Sequence, residues 1–267
     1  MNKLKVVNDK IASCELDDQL QVKLEEKNDF FDVNSLKILV LGDTDLEIEY
    51  ESDHECKLDI FVNVKADVHF SLWEFRHGKR TKVQYKYYLD RNSNTMIRRI
   101  HHMKGMRELD LFHLNGECAK VDFLLKTISI KPEKYDMVVY HNAPKTTSNI
   151  VDHGINLEDG ELIFNVTGDI PKGKTGCFID QKNRIVTYNL EECKISPNLF
   201  TSEEDVTANH AAYIGKFKDE DVFYMMSRGI EERDAIRLLM KGFFLSNLEL
   251  TKEKEEKLIS ILEDVWR

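Results

Sequence analysis

Short segments in which apolar and polar residues alternate run through most of this chain. The clearest is Lys57–Val64, where Leu58, Ile60, Val62 and Val64 fall on one side of an extended backbone. A period of two is typical of a β-strand with one buried face. Successive segments are often about ten to twelve residues apart and are separated by turn-forming residues, so the pattern predicts a sandwich, a barrel or a β-solenoid.

The predicted strands begin near residue 35 and continue to residue 188. They are Leu36–Leu41, Asp45–Tyr50, Lys57–Val64, Val68–Phe75, Lys82–Leu89, Thr95–His101, Leu109–Leu114, Cys118–Ile130, Met137–His141, Glu161–Val166, Gly176–Ile179 and Arg184–Tyr188. Amphipathic helices do not occur between them, which excludes the doubly wound α/β folds. No strict motif repeats along the chain, so the sequence pattern leaves the three β architectures open.

The two ends of the chain differ from this β-rich middle. Residues 1–33 are charged and weakly patterned, and we predict a short leader element there, with one helix near Asp17–Lys27. From residue 216 the apolar period becomes helical and predicts three helices, at Glu220–Ser227, at Glu231–Lys241 and after Thr251. The chain therefore divides into a leader (1–33), a β core (34–215) and a helical region (216–267).

Two of the predicted helices have apolar faces that can be read directly. In the last helix Leu258, Ile261, Leu262 and Val265 form one stripe, at the spacing of an amphipathic helix. In the first helix the apolar residues Val222, Phe223 and Met226 are predicted to share a face.

Composition and charge narrow the class of protein. Of 267 residues 42% are hydrophobic, enough to form a substantial core, and the net charge is −10. This acidity disfavours nucleic acid and anionic membrane surfaces as partners. The five cysteines are widely spaced, without a CxxC pair, which excludes a secreted disulfide framework. The start of the sequence lacks the apolar segment of a signal peptide, so we expect a soluble, cytoplasmic protein.

Local signatures of common enzymes are missing from the sequence. There is no GxGxxG, no GxxxxGK[ST], no GxSxG and no HExxH. His101 and His102 are adjacent, so in a strand they point to opposite faces and do not share one metal ion. The basic pairs Lys79-Arg80 and Arg98-Arg99 are predicted to be solvated turn charges. We therefore predict that the protein is not an enzyme.

Three segments in the second half of the chain carry a more specific signal. His141–Ser148 reads His-Asn-Ala-Pro-Lys-Thr-Thr-Ser, and Asn209–Gly215 reads Asn-His-Ala-Ala-Tyr-Ile-Gly. Asp219–Ile230 reads Asp-Glu-Asp-Val-Phe-Tyr-Met-Met-Ser-Arg-Gly-Ile and precedes a helix that ends in Gly-Phe. Together with Phe164–Ile170, these segments resemble the SufB/SufD family of iron–sulfur cluster assembly scaffolds, on its SufD side. The resemblance covers about residues 137–245.

The resemblance implies a mainly β fold, a right-handed parallel β-helix with a small α-helical C-terminal region. It implies a non-catalytic scaffold in a complex with a SufC-type ABC ATPase and with a second SufB/SufD-type chain, identical or different. In such a complex, ATP-driven closure of the ATPase subunits opens the site where a transient iron–sulfur cluster forms at the interface between scaffolds. Whether flavin binds is left open.

The resemblance also suggests individual site residues. His210 matches a family histidine at the scaffold–scaffold interface and is a candidate metal ligand. The SufB branch has a cysteine about thirty residues earlier, where this chain has Gln181, so Cys177 and Cys193 are the candidate thiolate ligands. The cysteine that SufD carries two positions before the histidine is Ala208 here.

The ATPase-docking segment of the family corresponds to the first predicted helix and the turn after it. A short apolar helix with aromatic residues and an arginine has the composition of an interaction hot spot. The candidate docking residues are Phe223, Tyr224, Met226, Arg228, Gly229 and Ile230. The other interpretation is that Phe223 and Met226 pack the helix against the β core.

Two alternative functions remain at this stage. A β-solenoid enzyme acting on polysaccharide predicts a carboxylate cluster in a groove and gives the C-terminal motifs no role. An adaptor that binds the ATPase without ligating a cluster predicts that His210 is dispensable.

Overall fold

The computed structural model describes residues 2–26, 33–157, 159–187 and 192–265, and its strands form a β-solenoid of about 7 turns. Strands make up 61% of the protein, and three helices follow at the C-terminal end. The strands are β1 (Asn2–Val7), β2 (Lys10–Glu15), β3 (Leu20–Glu25), β4 (Asn34–Val40), β5 (Thr44–Ser52), β6 (Cys56–Val64), β7 (His69–Leu89), β8 (Asn94–Leu114), β9 (Lys120–Ser129), β10 (Glu133–His141), β11 (Thr147–Asn156), β12 (Leu162–Ile170), β13 (Cys177–Thr187), β14 (Cys193–Thr201) and β15 (Val206–Gly215). The helices are α1 (Asp219–Met226), α2 (Glu232–Leu245) and α3 (Lys252–Val265).

Each turn of the solenoid adds one strand to each of two parallel ladders. Ladder 1 contains β1, β5, the first halves of β7 and β8, then β9, β11, β13 and β15. Ladder 2 contains β4, β6, the second halves of β7 and β8, then β10, β12 and β14. From β4 onward paired residues lie 24 to 31 positions apart, from Asn34–Leu58 to Leu162–Cys193. This long-range parallel register confirms the solenoid and excludes the sandwich and the barrel.

The strands β7 and β8 each pass from ladder 1 to ladder 2 without a break in the strand. The bends lie at Gly78 and Gly105, whose φ angles of 125° and 104° are in a region that side-chain-bearing residues rarely adopt. At Gly78 a Cβ atom would lie 2.0 Å from the backbone oxygen of Ser52. Each of these strands was predicted as two separate runs, because the apolar alternation is interrupted at the bend.

The N-terminal end of the solenoid is closed by antiparallel strands. β2 pairs with β1, and β3 pairs with β4, both antiparallel. The predicted helix at Asp17–Lys27 is therefore wrong over the described part, where β3 occupies Leu20–Glu25. Leu20, Val22 and Leu24 alternate toward the core, and pairing with β4 decides in favour of the strand. Lys27 and Tyr188, the ends of two predicted elements, lie outside the described residues.

The interior is largely apolar, and its middle turns hold a group of buried charged and hydroxyl side chains. Arg99 is fully buried, and its guanidinium donates to Glu108 at 2.6 Å, to Asp110 at 2.8 Å and to the Tyr87 hydroxyl at 2.6 Å. A buried cation without such partners costs several kcal/mol. The prediction that Arg98-Arg99 are solvated charges is wrong for Arg99, because this residue occupies an inward position of β8.

The three helices cover the outer face of ladder 1. Apolar residues of this region pack against outward-facing apolar residues of the strands. From the strands come Ile100, Ile128, Ile155 and Val186, and from the C-terminal region come Phe217, Met240, Phe243, Phe244, Leu258 and Leu262. The amphipathic pattern of the last predicted helix is thereby confirmed. No helix in the described ranges is long and apolar enough to cross a membrane.

Candidate functional site

The C-terminal end of the solenoid is an open edge that carries His210. Within the described residues β15 pairs only with β13, and β14 pairs only with β12. His210 stands opposite Gln181 in the inward-facing row that continues through Ile150 and Phe123. In earlier turns this row is buried, but at the edge His210 is exposed, because no described strand stacks beyond β15.

Buried polar groups lie directly beneath this edge. Gln181 and Asn183 are 0% and 3% exposed, yet Oε1 of Gln181 and both amide atoms of Asn183 have no hydrogen-bond partner in the described part of the chain. One turn deeper, Asp152 stands opposite Asn183, also with both carboxylate oxygens unpartnered. Burial raises the pKa of Asp152 well above its ordinary value. Each unpaired buried polar group costs about 1–3 kcal/mol, so this end of the interior is suited to receiving further polar groups.

Cys177 lies at the beginning of β13, away from His210. It is 2% exposed, its thiol donates to the backbone oxygen of Ala143 at 3.4 Å, and its sulfur is 3.2 Å from the Thr146 hydroxyl. The residue opposite Cys177 on β15 is Val206, four positions before His210. At about 3.3 Å per residue the two side chains are ~13 Å apart along the strand. The structure therefore does not bring these two candidate ligands together.

Cys193 lies at the beginning of β14, in ladder 2. Burial raises the pKa of its thiol, which disfavours the thiolate. Across the interior, the side-chain nitrogen of Gln181 is 3.5 Å from the backbone oxygen of Asn198. Because His210 stands opposite Gln181, Asn198 marks the part of β14 that lies at the same height along the strands as His210. Cys193 is five positions away from Asn198, or ~16 Å along the strand. It is also separate from His210.

The described residues contain no group of three or more His, Cys, Asp or Glu side chains that could hold a metal ion. His101 is buried and His102 is half-buried, on opposite faces of β8 as predicted. Among the described residues, His210 therefore belongs to no such group.

The second candidate surface is the helix α1 and the turn that follows it. None of its residues is buried, and Phe223, Tyr224 and Met226 are 71%, 57% and 43% exposed. Val222 turns toward the core, so the predicted common face of Val222, Phe223 and Met226 is wrong. The alternative that Phe223 and Met226 fix the helix to the core is excluded by their exposure.

The turn after α1 ends the helix and leaves the surface around Tyr224 and Arg228 exposed. Gly229 has a φ angle of 85°, and its N–H bonds the backbone oxygen of Met226 at 2.9 Å, which ends the helix. The guanidinium of Arg228 lies 5.2 Å from the centre of the exposed Tyr224 ring, and Ile230 is half-buried. Leu238 of α2 is also exposed, at 46%.

Two cations, the half-buried Arg184 and the buried Lys126, connect the helical region to the last turns of the solenoid. The guanidinium of Arg184 stacks over the rings of Tyr213, Phe217 and Phe243 at 5.1 to 6.0 Å. Lys126 donates to the backbone oxygen of Phe243 at 3.0 Å. These contacts link strands of ladder 1, including the edge strand β15, to the C-terminal end of α2.

Comparison with known proteins places this architecture in a family. Relatives include the iron–sulfur cluster assembly protein SufD of Bacillus subtilis, 30% identical over 136 residues, which are 49% of this chain and 31% of SufD. An iron–sulfur cluster assembly SufBD family protein of Mycobacterium leprae is 38% identical over 140 residues, 47% of this chain and 35% of that protein. The matched segments thus span about a third of the length of these two relatives. Residues 40–243 match the model of the SufBD core domain of the SUF system for FeS cluster assembly, and the chain therefore belongs to the SufBD family.

Proposed function

We propose that this protein is a scaffold subunit for iron–sulfur cluster assembly that joins a second scaffold chain through its open edge. The observation that carries the proposal is the exposed His210 on the edge strand β15, above the buried polar groups of Gln181 and Asn183. Unpaired strand edges are templates for pairing with another chain, and strand addition would complete the ladder.

In this proposal the nascent cluster is cargo held between two chains. Iron–sulfur clusters are bound chiefly by thiolates, and His210 supplies a single imidazole. Because Cys177 and Cys193 are both distant from His210 along their strands, the remaining ligands come from the second chain or from the sulfide of the cluster itself. A second chain would also cover the buried amides at the edge.

The ATPase partner is proposed to dock on α1. Phe223, Tyr224 and Arg228 form an exposed aromatic and cationic surface, and tyrosine and arginine are enriched at the centres of protein interfaces. The stacking of Arg184 between Tyr213 and the helical region gives a physical route from this surface to the edge strand. Movement of the docked ATPase would then act on the site of His210.

The test of docking is co-purification with the SufC-type ABC ATPase of the same organism, followed by its ATP turnover with and without this chain. We expect stable binding that is weakened at least thirtyfold by Phe223→Ser, about 2 kcal/mol for a hot-spot aromatic residue. Leu41→Ser is the matched control, since Leu41 is also exposed but lies at the opposite end of the solenoid. No binding under any nucleotide condition would remove the ATPase from the proposal.

The test of the cluster site is anaerobic reconstitution of the assembled complex with iron and sulfide. We expect His210→Ala to lower the bound iron and sulfide while leaving ATPase binding unchanged. Full cluster formation by this variant would instead support an adaptor that does not ligate the cluster. The polysaccharide-enzyme alternative gives the C-terminal motifs no role, and the carboxylates Glu74, Glu108 and Asp110 are buried.

A further inference from the structure

A column of basic side chains runs along the outer face of ladder 2, on the side of the molecule away from the helices. Lys57, Lys82, Arg107 and Lys134 occupy equivalent outward positions on four successive strands, in register. Neighbouring strands are about 4.8 Å apart, so the four residues form a line ~14 Å long. We call these four residues the basic column.

The charges of this column are largely uncompensated. All four residues are exposed, and Lys57, Lys82 and Arg107 form no ion pair within the described ranges. Only Lys134 has an acidic partner, Asp136 at 2.8 Å. Like charges on directly opposite positions destabilise a sheet, and here they persist in a chain of net charge −10. The arrangement therefore indicates an anionic ligand.

Further basic residues lie at the adjacent corner of the solenoid. Lys79 and Lys104 are paired in register where β7 and β8 bend, and both are exposed, as is Arg80. None of these three residues forms an ion pair with a described residue. The positive charge thus extends beyond the column on the side of the bend.

The column borders a concave site of ligand size. A cavity of about 620 Å³ is lined by all four basic residues, by Val33, Val83, Glu108 and Leu109, and by three polar residues of the next row, Asp59, Gln84 and Asp136. Such a volume lies in the range of small-molecule sites, about 300–1,000 Å³. The carboxylates of Asp59 and Asp136 would repel an anion placed over them, but they can accept hydrogen bonds from hydroxyl groups.

The residues that line the cavity favour one class of ligand over the others. None of them is aromatic, whereas single-stranded nucleic acid is bound by stacking on aromatic rings and protein interfaces are anchored by aromatic residues. Arginine binds phosphate through two parallel hydrogen bonds, and lysine binds it as a point charge. The adjacent carboxylates of Asp59 and Asp136 can accept hydrogen bonds from hydroxyl groups, which suits a sugar or nucleoside attached to the phosphates.

We propose that the basic column binds a small molecule with two or more phosphate groups, of the nucleoside polyphosphate class. The phosphates lie along Lys57, Lys82 and Arg107, and the hydroxyl groups face Asp59 and Asp136. The site is on a different face from the edge of β15 and from α1, so it is independent of the scaffold function.

Isothermal titration of the full chain with inorganic tripolyphosphate and with ATP tests this site. We expect the Lys82→Glu/Arg107→Glu variant to bind both probes at least tenfold more weakly than the wild type. The control is Lys3→Glu/Lys120→Glu, which makes the same change in net charge at two exposed lysines elsewhere and should bind like the wild type. Circular dichroism checks folding, and Lys82→Gln/Arg107→Gln repeats the test without adding negative charge.

Two outcomes would overturn the proposal. Equal weakening in the two charge-reversal variants would mean that the probes respond only to net charge. Tighter binding of a polyglutamate peptide than of either phosphate probe would assign the column to an acidic polypeptide. If ATP binds at least as tightly as tripolyphosphate, the result supports hydrogen bonding of its hydroxyl groups to Asp59 and Asp136. Weaker binding of ATP contradicts that part of the proposal.

Discussion

The buried lysine beneath α2 gives a prediction whose size follows from the structure. Lys126 is fully buried on β9, and its ammonium group lies within 2.7 to 3.1 Å of His153 Nδ1, of the Phe243 backbone oxygen and of Ser246 Oγ. No carboxylate within the described ranges forms an ion pair with it. Burial lowers the pKa of Lys126 from 10.5 to about 7.

The sign of the pH effect follows from proton binding. Between pH 7 and pH 10.5 the unfolded chain keeps the proton on Lys126 while the folded protein has released it, so the unfolded state binds more protons. The free energy of unfolding should therefore rise with pH over this interval. From pH 7 to pH 9 this single residue contributes a rise of about 2 kcal/mol. The facing group His153 does not reverse this sign, because burial lowers its pKa to about 3 and it stays neutral in the folded protein over this interval.

The measurement is urea unfolding of the wild type and of Lys126→Met at pH 7 and pH 9. The substitution keeps the length of the side chain and removes the titrating group, so its cost should be about 2 kcal/mol larger at pH 9 than at pH 7. Lys120→Met, at an exposed position of the same strand, should cost the same at both pH values. Parallel pH profiles for wild type and Lys126→Met would refute the reasoning.

Two further predictions concern the solenoid itself. Arg99→Met leaves Glu108 and Asp110 without their buried cation, and urea unfolding at pH 7 should show a loss of about 3–5 kcal/mol in the free energy of unfolding. A loss below about 1 kcal/mol would contradict the role of this network. Gly78→Ala forces a Cβ against the Ser52 backbone oxygen at a φ angle of 125° and should lower the free energy of unfolding by about 2–4 kcal/mol in the same assay. Gly173→Ala is its control, because that glycine also has a positive φ angle but no atom lies within 4 Å of the added Cβ. An equal loss in both variants would show that the bend at Gly78 is not tightly packed.

The sequence predicted best where the signal is local. The alternation in Lys57–Val64 became β6 almost residue for residue, and the helical period after residue 216 became α1, α2 and α3. These patterns are legible because the side-chain period of each element is set by its own backbone geometry. The motifs at His141–Ser148 and Asp219–Ile230 were enough to indicate the family.

Strands at the open end were harder to predict. β14 and β15 do not appear among the predicted strands, and both have few buried residues because one side of each has no neighbour among the described strands. In β15 the inward row includes Ala208, His210 and Ala212, so the hydrophobic alternation is weak. The edge that we propose as functional is thus the part of the core that a hydrophobic pattern reveals least.

The sequence by itself determined that this protein is β-rich with a helical C-terminus, that it lacks common enzyme motifs and that it resembles the SufB/SufD family. Only the tertiary structure decided that the strands stack in parallel, that Arg99 and Lys126 are buried, and that Cys177, Cys193 and His210 lie apart. The reason is that local propensity and periodicity depend on neighbours within one element. Parallel register, burial of charge and distances between side chains depend on contacts between residues about one solenoid turn or more apart, which no short window of sequence contains.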